Sequence, residues 1–210
     1  SSNGQHDLWF GEEERAEEGY LTDLLSNRAV DYIDRIAAAN AQQEAPFFLS
    51  LHYTAPHWPW ETRDDEALAR EVKDNLFHLH GGNIHTYRRM IHHMDEGIGW
   101  VMQALRRHGL DQDTLVVFTS DNGGERFSDN WPLVGGKMDL TEGGIRVPWI
   151  AHWPAAIPAG EVARLVGIVG GPAGHRVDRP RPVRCAGGPG NHGSGDHAGR
   201  AISRAAQLGL

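Results

Sequence analysis

Apolar residues recur along the chain with two different periods, and the alternation of those periods predicts its elements. Between Thr22 and Asn40, the residues Leu25, Ala29, Ile33, Ile36 and Ala37 fall at the spacing of one helix face. Thr22 suits an N-cap and Asn40 a stop. From Ile84 to His108 a longer stripe of Tyr87, Ile91, Met94, Ile98, Val101 and Leu105 predicts a second helix, with Gly109 placed as its C-cap. Both stripes are expected to face a core. Three short apolar runs, Phe47 to Tyr53, Leu115 to Thr119 and Val147 to Trp153, are bounded by proline, glycine, asparagine or aspartate and predict strands. Helix and strand in alternation point to an α/β fold with a mostly parallel sheet flanked by helices. The consecutive apolar residues of Leu115 to Phe118 suit a strand covered on both faces.

The polar segments set the limits of this pattern. Residues 1–19 crowd Glu12, Glu13, Glu14, Glu17 and Glu18 around Arg15, which predicts a solvated loop. After Val162 the periodicity stops: Arg164, Arg176, Arg179, Arg181, Arg184, Arg200 and Arg204 face only Asp178 and Asp196, amid dense glycine and proline. Residues 163–210 are therefore expected to be a disordered basic tail. The abrupt change is what a shifted reading frame would produce, with a genuine basic linker as the alternative, and residues 1–162 form the patterned part.

Composition narrows the function classes. A formal charge of -8 with no long basic block argues against nucleic acid as the main partner. No apolar run approaches the roughly 20 residues of a transmembrane helix. The single cysteine, Cys185, excludes an internal disulfide and any multi-cysteine metal site. The chain opens on Ser1 without a charged-then-apolar leader, so compartment is left open, as is oligomeric state.

Candidate chemistry gathers where the strands end. Asp121 and Asn122 stand at the carboxyl end of the Leu115 run, the place where ligands gather in open α/β sheets. A carboxylate beside an amide carbonyl offers only oxygen, which suits Ca²⁺ or Mg²⁺ better than zinc. Gly123 and Gly124 permit a sharp turn and a close approach, although Asp-Asn-Gly-Gly is also ordinary turn chemistry. The Phe47 run hands over to His57 on a proline-restrained loop, and Lys137 follows Gly135-Gly136. His85, His92 and Glu96 share a polar helix side, but with no third ligand in view the histidines are expected to be solvated.

Taken together, Gly19-Tyr-Leu-Thr-Asp23, Pro46-Phe-Phe-Leu49, Ala55-Pro-His57, Met94-Asp95, Thr119-Ser-Asp-Asn-Gly123, Gly136-Lys137 and Glu142-Gly-Gly-Ile-Arg-Val-Pro148 resemble the type I, formylglycine-dependent sulfatases of the alkaline-phosphatase-like superfamily. The resemblance runs from about Gly19 to Pro154. It implies that Asp121 and Asn122 are two ligands of an active-site Ca²⁺, that His57 contacts the sulfate ester and assists the leaving group, and that Lys137 binds a sulfate oxygen. It implies a small-molecule or carbohydrate sulfate ester as substrate; members of the family are often periplasmic, secreted or lysosomal. Glu142 and Arg146 are expected to be structural, pairing to hold the lysine loop, while 61–82 and 126–134 are expected to shape specificity. The family's formylglycine arises in a Cys/Ser-x-Pro-x-Arg sequence beside paired aspartates, and no such sequence occurs here. Asp64-Asp65 lies on the wrong side of the histidine loop to replace those aspartates. The expectation is thus a fragment, the C-terminal half of a sulfatase catalytic domain, inactive alone. The competing readings are a phosphonate monoester or phosphodiester hydrolase of the same superfamily, a non-catalytic binder of sulfated ligands, and a nonfunctional truncation product.

Overall fold

A computed structural model describes residues 8–40, 45–65, 67, 82–160 and 162; the expectations for 163–210, including Cys185, and for most of 61–82 lie outside them. The described residues fall into two compact units that divide between Gly109 and Leu110.

The first unit opens with a small hairpin rather than the expected loop. Strands β1 (Trp9–Phe10) and β2 (Glu13–Glu14) pair antiparallel, with Trp9 opposite Glu14 and Phe10 opposite Glu13. Gly11 adopts φ +64° in the turn, a conformation glycine takes without a Cβ penalty. The Arg15 guanidinium lies 4.6 Å from the Phe10 ring centre, so the lone base of this acidic stretch also covers an aromatic face.

Helix α1 (Leu21–Asn40) begins one residue before the predicted cap. Thr22 is not the N-cap: it lies inside the first turn, fully buried, and its carbonyl accepts from Ser26 Oγ at 2.7 Å. Helix α2 (Ile84–Arg107) follows the prediction more closely. Asn83 caps it by accepting from the backbone N–H groups of His85 and Thr86, and Gly109, at φ +68°, closes it with an N–H bond to the Arg106 carbonyl.

The face that α2 buries is one step around from the apolar stripe. Met90, His93, Gly97, Ala104 and Leu105 are buried, whereas Ile91 is exposed and Tyr87, Met94, Ile98 and Val101 are half-buried. The reason is size. A Cβ on Gly97 would sit 2.1 Å from Ser26 Oγ, so the two helices meet across small residues, which a hydrophobicity count ignores. Leu25, Ala29 and Ile33 supply the matching face of α1. Ionic contacts flank the seam: Arg107 and His108 both reach Asp34 Oδ1, at 2.6 and 2.7 Å, and Arg63 bridges Asp23 and Glu96 at 2.8 and 3.0 Å.

Residues 47–53 were expected as a strand and form no ladder among the described residues. Their burial nonetheless alternates at every residue from Phe47 to Tyr53, the period of an extended chain. Tyr53 anchors the segment by a 2.9 Å hydroxyl contact to Ser26. The segment ends at the histidine loop, where Trp60 is buried and Gly82 packs against its ring, with room for no Cβ.

The second unit contains a short 3-10 turn (Asp111–Asp113), strand β3 (Val116–Thr119), a long loop, the one-turn helix α3 (Glu142–Ile145) and strand β4 (Trp149–His152). β3 and β4 pair antiparallel, Val116 opposite His152 through Thr119 opposite Trp149. The parallel pairing expected for β3 has no counterpart among the described residues, and Leu115 and Val117 are exposed rather than covered. An antiparallel pair at the rim of an otherwise parallel sheet is common in α/β folds.

Candidate functional site

The candidate residues occupy both units. Asp121, Asn122 and Lys137 belong to the second, where the chain leaves β3 and runs through its long loop to α3. Asp121 is exposed and Asn122 half-buried, and the Asn122 amide nitrogen donates to Asp121 Oδ2 at 2.7 Å. Ser120 Oγ donates to the Asn122 carbonyl at 3.0 Å, which pins the corner from the strand side.

Glycines bring this corner and the lysine onto one scaffold. The Gly123 N–H donates to the Gly144 carbonyl at 2.8 Å, and a Cβ on Gly123 would lie 1.9 Å from the Gly143 oxygen. The Gly143 N–H in turn donates to Val134 at 2.8 Å, and a Cβ on Gly144 would meet the carbonyls of Asp139 and Gly136. The Gly124 carbonyl accepts twice, from the Lys137 backbone N–H at 3.0 Å and from Asn130 Nδ2 at 3.1 Å, while Asn130 Nδ2 also donates to the Gly135 carbonyl at 3.0 Å. Backbone packed directly on backbone fixes the spacing between the Asp-Asn corner and Lys137.

The lysine side chain turns to a partner that sequence reading missed. Lys137 Nζ lies 3.2 Å from Glu125 Oε2, with only 22% of the lysine side chain exposed. Glu125 is held from below: its carbonyl accepts from the Ser128 N–H at 2.9 Å and from Ser128 Oγ. The expected Glu142–Arg146 pair also forms, at 3.6 Å, but both side chains are mostly solvated and such pairs contribute little. The glycine contacts, not this pair, hold the lysine loop.

His57 lies in the first unit, exposed, on a loop with cis peptide bonds at Ala55-Pro56 and Trp58-Pro59. Its backbone N–H closes a turn on Thr54 at 2.8 Å. Its Nδ1 contacts the Trp58 carbonyl at 2.6 Å, so Nδ1 carries a proton and Nε2 is the atom left for a ligand.

The donor set suits a hard cation in kind but not in number. Asp121 and Asn122 supply oxygen, yet the described residues hold no cluster of three or more His, Cys, Asp or Glu able to bind a metal, and Ca²⁺ takes about six to eight oxygens. His92 and Glu96 sit 3.5 Å apart on the surface of α2 without a third donor among the described residues. The buried histidine of that helix is its neighbour. His93 packs edge-on against Tyr20, and its buried Nδ1 has no hydrogen-bond partner among the described residues. Burial pushes its pKa down, with the Arg63 charge acting in the same direction.

Glu125, Asn130 and the glycine contacts were outside the candidate set. The signal that could have found them is the recurrence of Gly-Gly at 123–124, 135–136 and 143–144, three places where the backbone is stripped of side chains for close approach.

The sulfatase family profile matches residues 2–170. The chain is 31% identical over 159 residues to mouse N-acetylgalactosamine-6-sulfatase, covering 72% of this chain and 27% of that protein. It is 35% identical over 149 residues to human arylsulfatase D, covering 66% of this chain and 22% of that protein. Among solved structures, Ps i-CgsB in complex with k-i-k-neocarrahexaose aligns with a TM-score of 0.59 and 37% identity, covering 71% of this chain and 32% of that one. The chain therefore spans about a quarter of the length of the curated relatives it matches. With a family profile matching most of its length, this chain belongs to the sulfatase family.

Proposed function

We propose that this chain contributes the anion-binding and cation-binding groups of a sulfate-ester hydrolase site and leaves the nucleophile to sequence outside these 210 residues. The observation that carries the reading is the Gly124 carbonyl, which ties the Lys137 backbone to the loop that begins at Asp121-Asn122. An ammonium group and two oxygen donors of a hard-cation site then share one rigid loop.

Cleaving a sulfate ester requires positive charge around the sulfuryl oxygens and a proton for the departing oxygen. Lys137 offers an ammonium to a sulfuryl oxygen. His57, with Nδ1 bonded to its own loop, presents Nε2 as the proton donor in its protonated form. Asp121 and Asn122 would hold Ca²⁺, or Mg²⁺, which when bound supplies further positive charge to the ester oxygens. The chain lacks a Cys/Ser-x-Pro-x-Arg sequence, so it has no source of the formylglycine nucleophile that the family resemblance implies. A covalent route without its nucleophile has no first step. A carbohydrate sulfate is the substrate class we favour, because the relatives include an N-acetylgalactosamine-6-sulfatase and a protein crystallised with a neocarrahexaose.

The test has two arms. With Ca²⁺ present, the purified chain is expected to hydrolyse no chromogenic aryl sulfate; turnover that Asp121→Ala abolishes would show that the nucleophile is present after all. In a calorimetric titration the chain is expected to bind galactose 6-sulfate, and Lys137→Ala to weaken that binding about tenfold, the scale of one charge-assisted hydrogen bond. Binding that ignores Lys137→Ala would remove the lysine from the site.

A further inference from the structure

We infer that Glu125 is a positioning and specificity residue: by pairing with Lys137 it sets the anion site for a singly charged ester and against a doubly charged one. The inference rests on the proposed role of Lys137 as the sulfate-binding cation. The geometry is local to one loop. Glu125 Oε2 lies 3.2 Å from Lys137 Nζ, the Ser128 N–H and Oγ both bond the Glu125 carbonyl, and Gly124, the residue before Glu125, accepts the Lys137 backbone N–H. The carboxylate is thus carried on the same scaffold as the ammonium it meets, and this fixes where Nζ points.

An anion that binds Nζ must lie within a few ångströms of the Glu125 carboxylate. The lysine charge is then shared, and the field an incoming ligand meets is that of an ion pair rather than of a free cation. A sulfate monoester carries one negative charge. A phosphate monoester carries close to two above its second pKa near 6, so it meets the Glu125 charge twice over. At separations of about 5 Å each additional ligand charge costs roughly tenfold in affinity, for screening between that of bulk water and that of a protein surface. Such a carboxylate costs a phosphate monoester about tenfold more than it costs a sulfate ester. This gives a physical ground, within the chain's own residues, for choosing a sulfate ester over a phosphate monoester. A phosphate diester, again singly charged, would not be rejected by Glu125.

The experiment uses the 210-residue chain, with Ca²⁺ present, at mildly alkaline pH. Galactose 6-sulfate, galactose 6-phosphate and the methyl diester of galactose 6-phosphate are titrated into the wild type, Glu125→Gln and Lys137→Ala. The expected result is that Glu125→Gln tightens binding of the phosphate monoester about tenfold more than it tightens that of the two singly charged ligands. A uniform change across all three ligands, or none, with binding still dependent on Lys137, overturns the role of Glu125 and leaves the anion-site reading standing. No ligand binding to any of the three proteins overturns both.

A second readout separates pairing from folding. The chain has two lysines, Lys73 and Lys137, so acylation of each can be followed by mass spectrometry. Glu125→Gln is expected to raise the acylation rate of Lys137 severalfold relative to Lys73. An unchanged ratio in a variant that retains the wild-type circular dichroism overturns the pairing.

Discussion

Gly143 has no room for a side chain: a Cβ there would sit 2.1 Å from the Gly135 carbonyl oxygen and 2.7 Å from that of Val134. Because the obstructing atoms are backbone, they cannot swing away as a flexible side chain would. Gly143→Ala is therefore expected to destabilise the second unit by about 1–3 kcal/mol, the usual cost of overpacking, as measured by urea denaturation. Gly99 is the control. Nothing lies within 4 Å of its Cβ position, and it sits inside helix α2, so Gly99→Ala should stabilise the first unit by up to about 1 kcal/mol. Equal effects of the two substitutions would mean that the glycine scaffold under Lys137 yields easily. The same contacts explain the Glu-Gly-Gly run beside the lysine loop: its glycines are there so that Gly123, Gly135 and Gly136 can approach. Sequence alone showed where the glycines stood. That they face one another, and thereby place Lys137, is a long-range fact that no local period encodes.

The pairing of α1 with α2 carries a titratable group at its seam. His93 is 5% exposed, and the charged or titratable groups around it are Tyr20 just before α1, Asp23 in α1, Arg63 from the histidine loop's far end, and Arg89, His92 and Glu96 from its own helix. Burial is the largest cause of its lowered pKa; the Arg63 and Arg89 charges add to it, and Glu96 and Asp23 oppose it. In the unfolded chain the imidazole returns to about 6.5 and binds its proton more readily than in the fold. The unfolded state thus holds more protons below that value, and stability falls as pH falls. The contribution is fully present above about pH 6.5 and is lost through the window between that value and the lowered folded pKa. A pH series of urea midpoints is expected to slope downward over this window in the wild type and to flatten in His93→Phe, which keeps the aromatic contact with Tyr20. Parallel slopes would place the titrating group elsewhere. The hydrophobic stripe of α2 did not reveal His93 as core: it is a polar residue, it packs against Tyr20, and on the same helix Gly97 meets Ser26, residues with almost no hydrophobic signature.

On the scale of the whole molecule, apolar surface is exposed in the second unit. Leu115, Val117, Trp149 and Ile150 are all at least half or nearly half exposed, and the register puts Val117 and Trp149 on one face of the β3–β4 pair. Further along the loop, Trp131, Val134, Met138 and Leu140 are exposed as well. Apolar patches and bare strand edges of this kind drive association. Sedimentation of the chain by itself is expected to show concentration-dependent self-association, reduced severalfold by Val117→Thr combined with Trp149→Thr; a monomer at all concentrations would show that these faces are innocuous. The relatives that match this chain are about four times as long as the matched segment.

Sequence by itself determined the two long helices, the positions of β3 and β4, and the family, because helical and strand periods are local and the Asp-Asn-Gly, Gly-Lys and Glu-Gly-Gly-Ile-Arg-Val-Pro motifs stand in order along one chain. Tertiary structure decided what local periods cannot carry. It turned α2 so that Gly97 and His93 face the core, paired β3 with β4 antiparallel, left 47–53 extended without a ladder among the described residues, and made Thr22 a buried helical residue instead of a cap. It also set Glu125 against Lys137. Each of these depends on contacts between residues distant in sequence, where the size of a side chain and the room available to it outweigh its hydrophobicity.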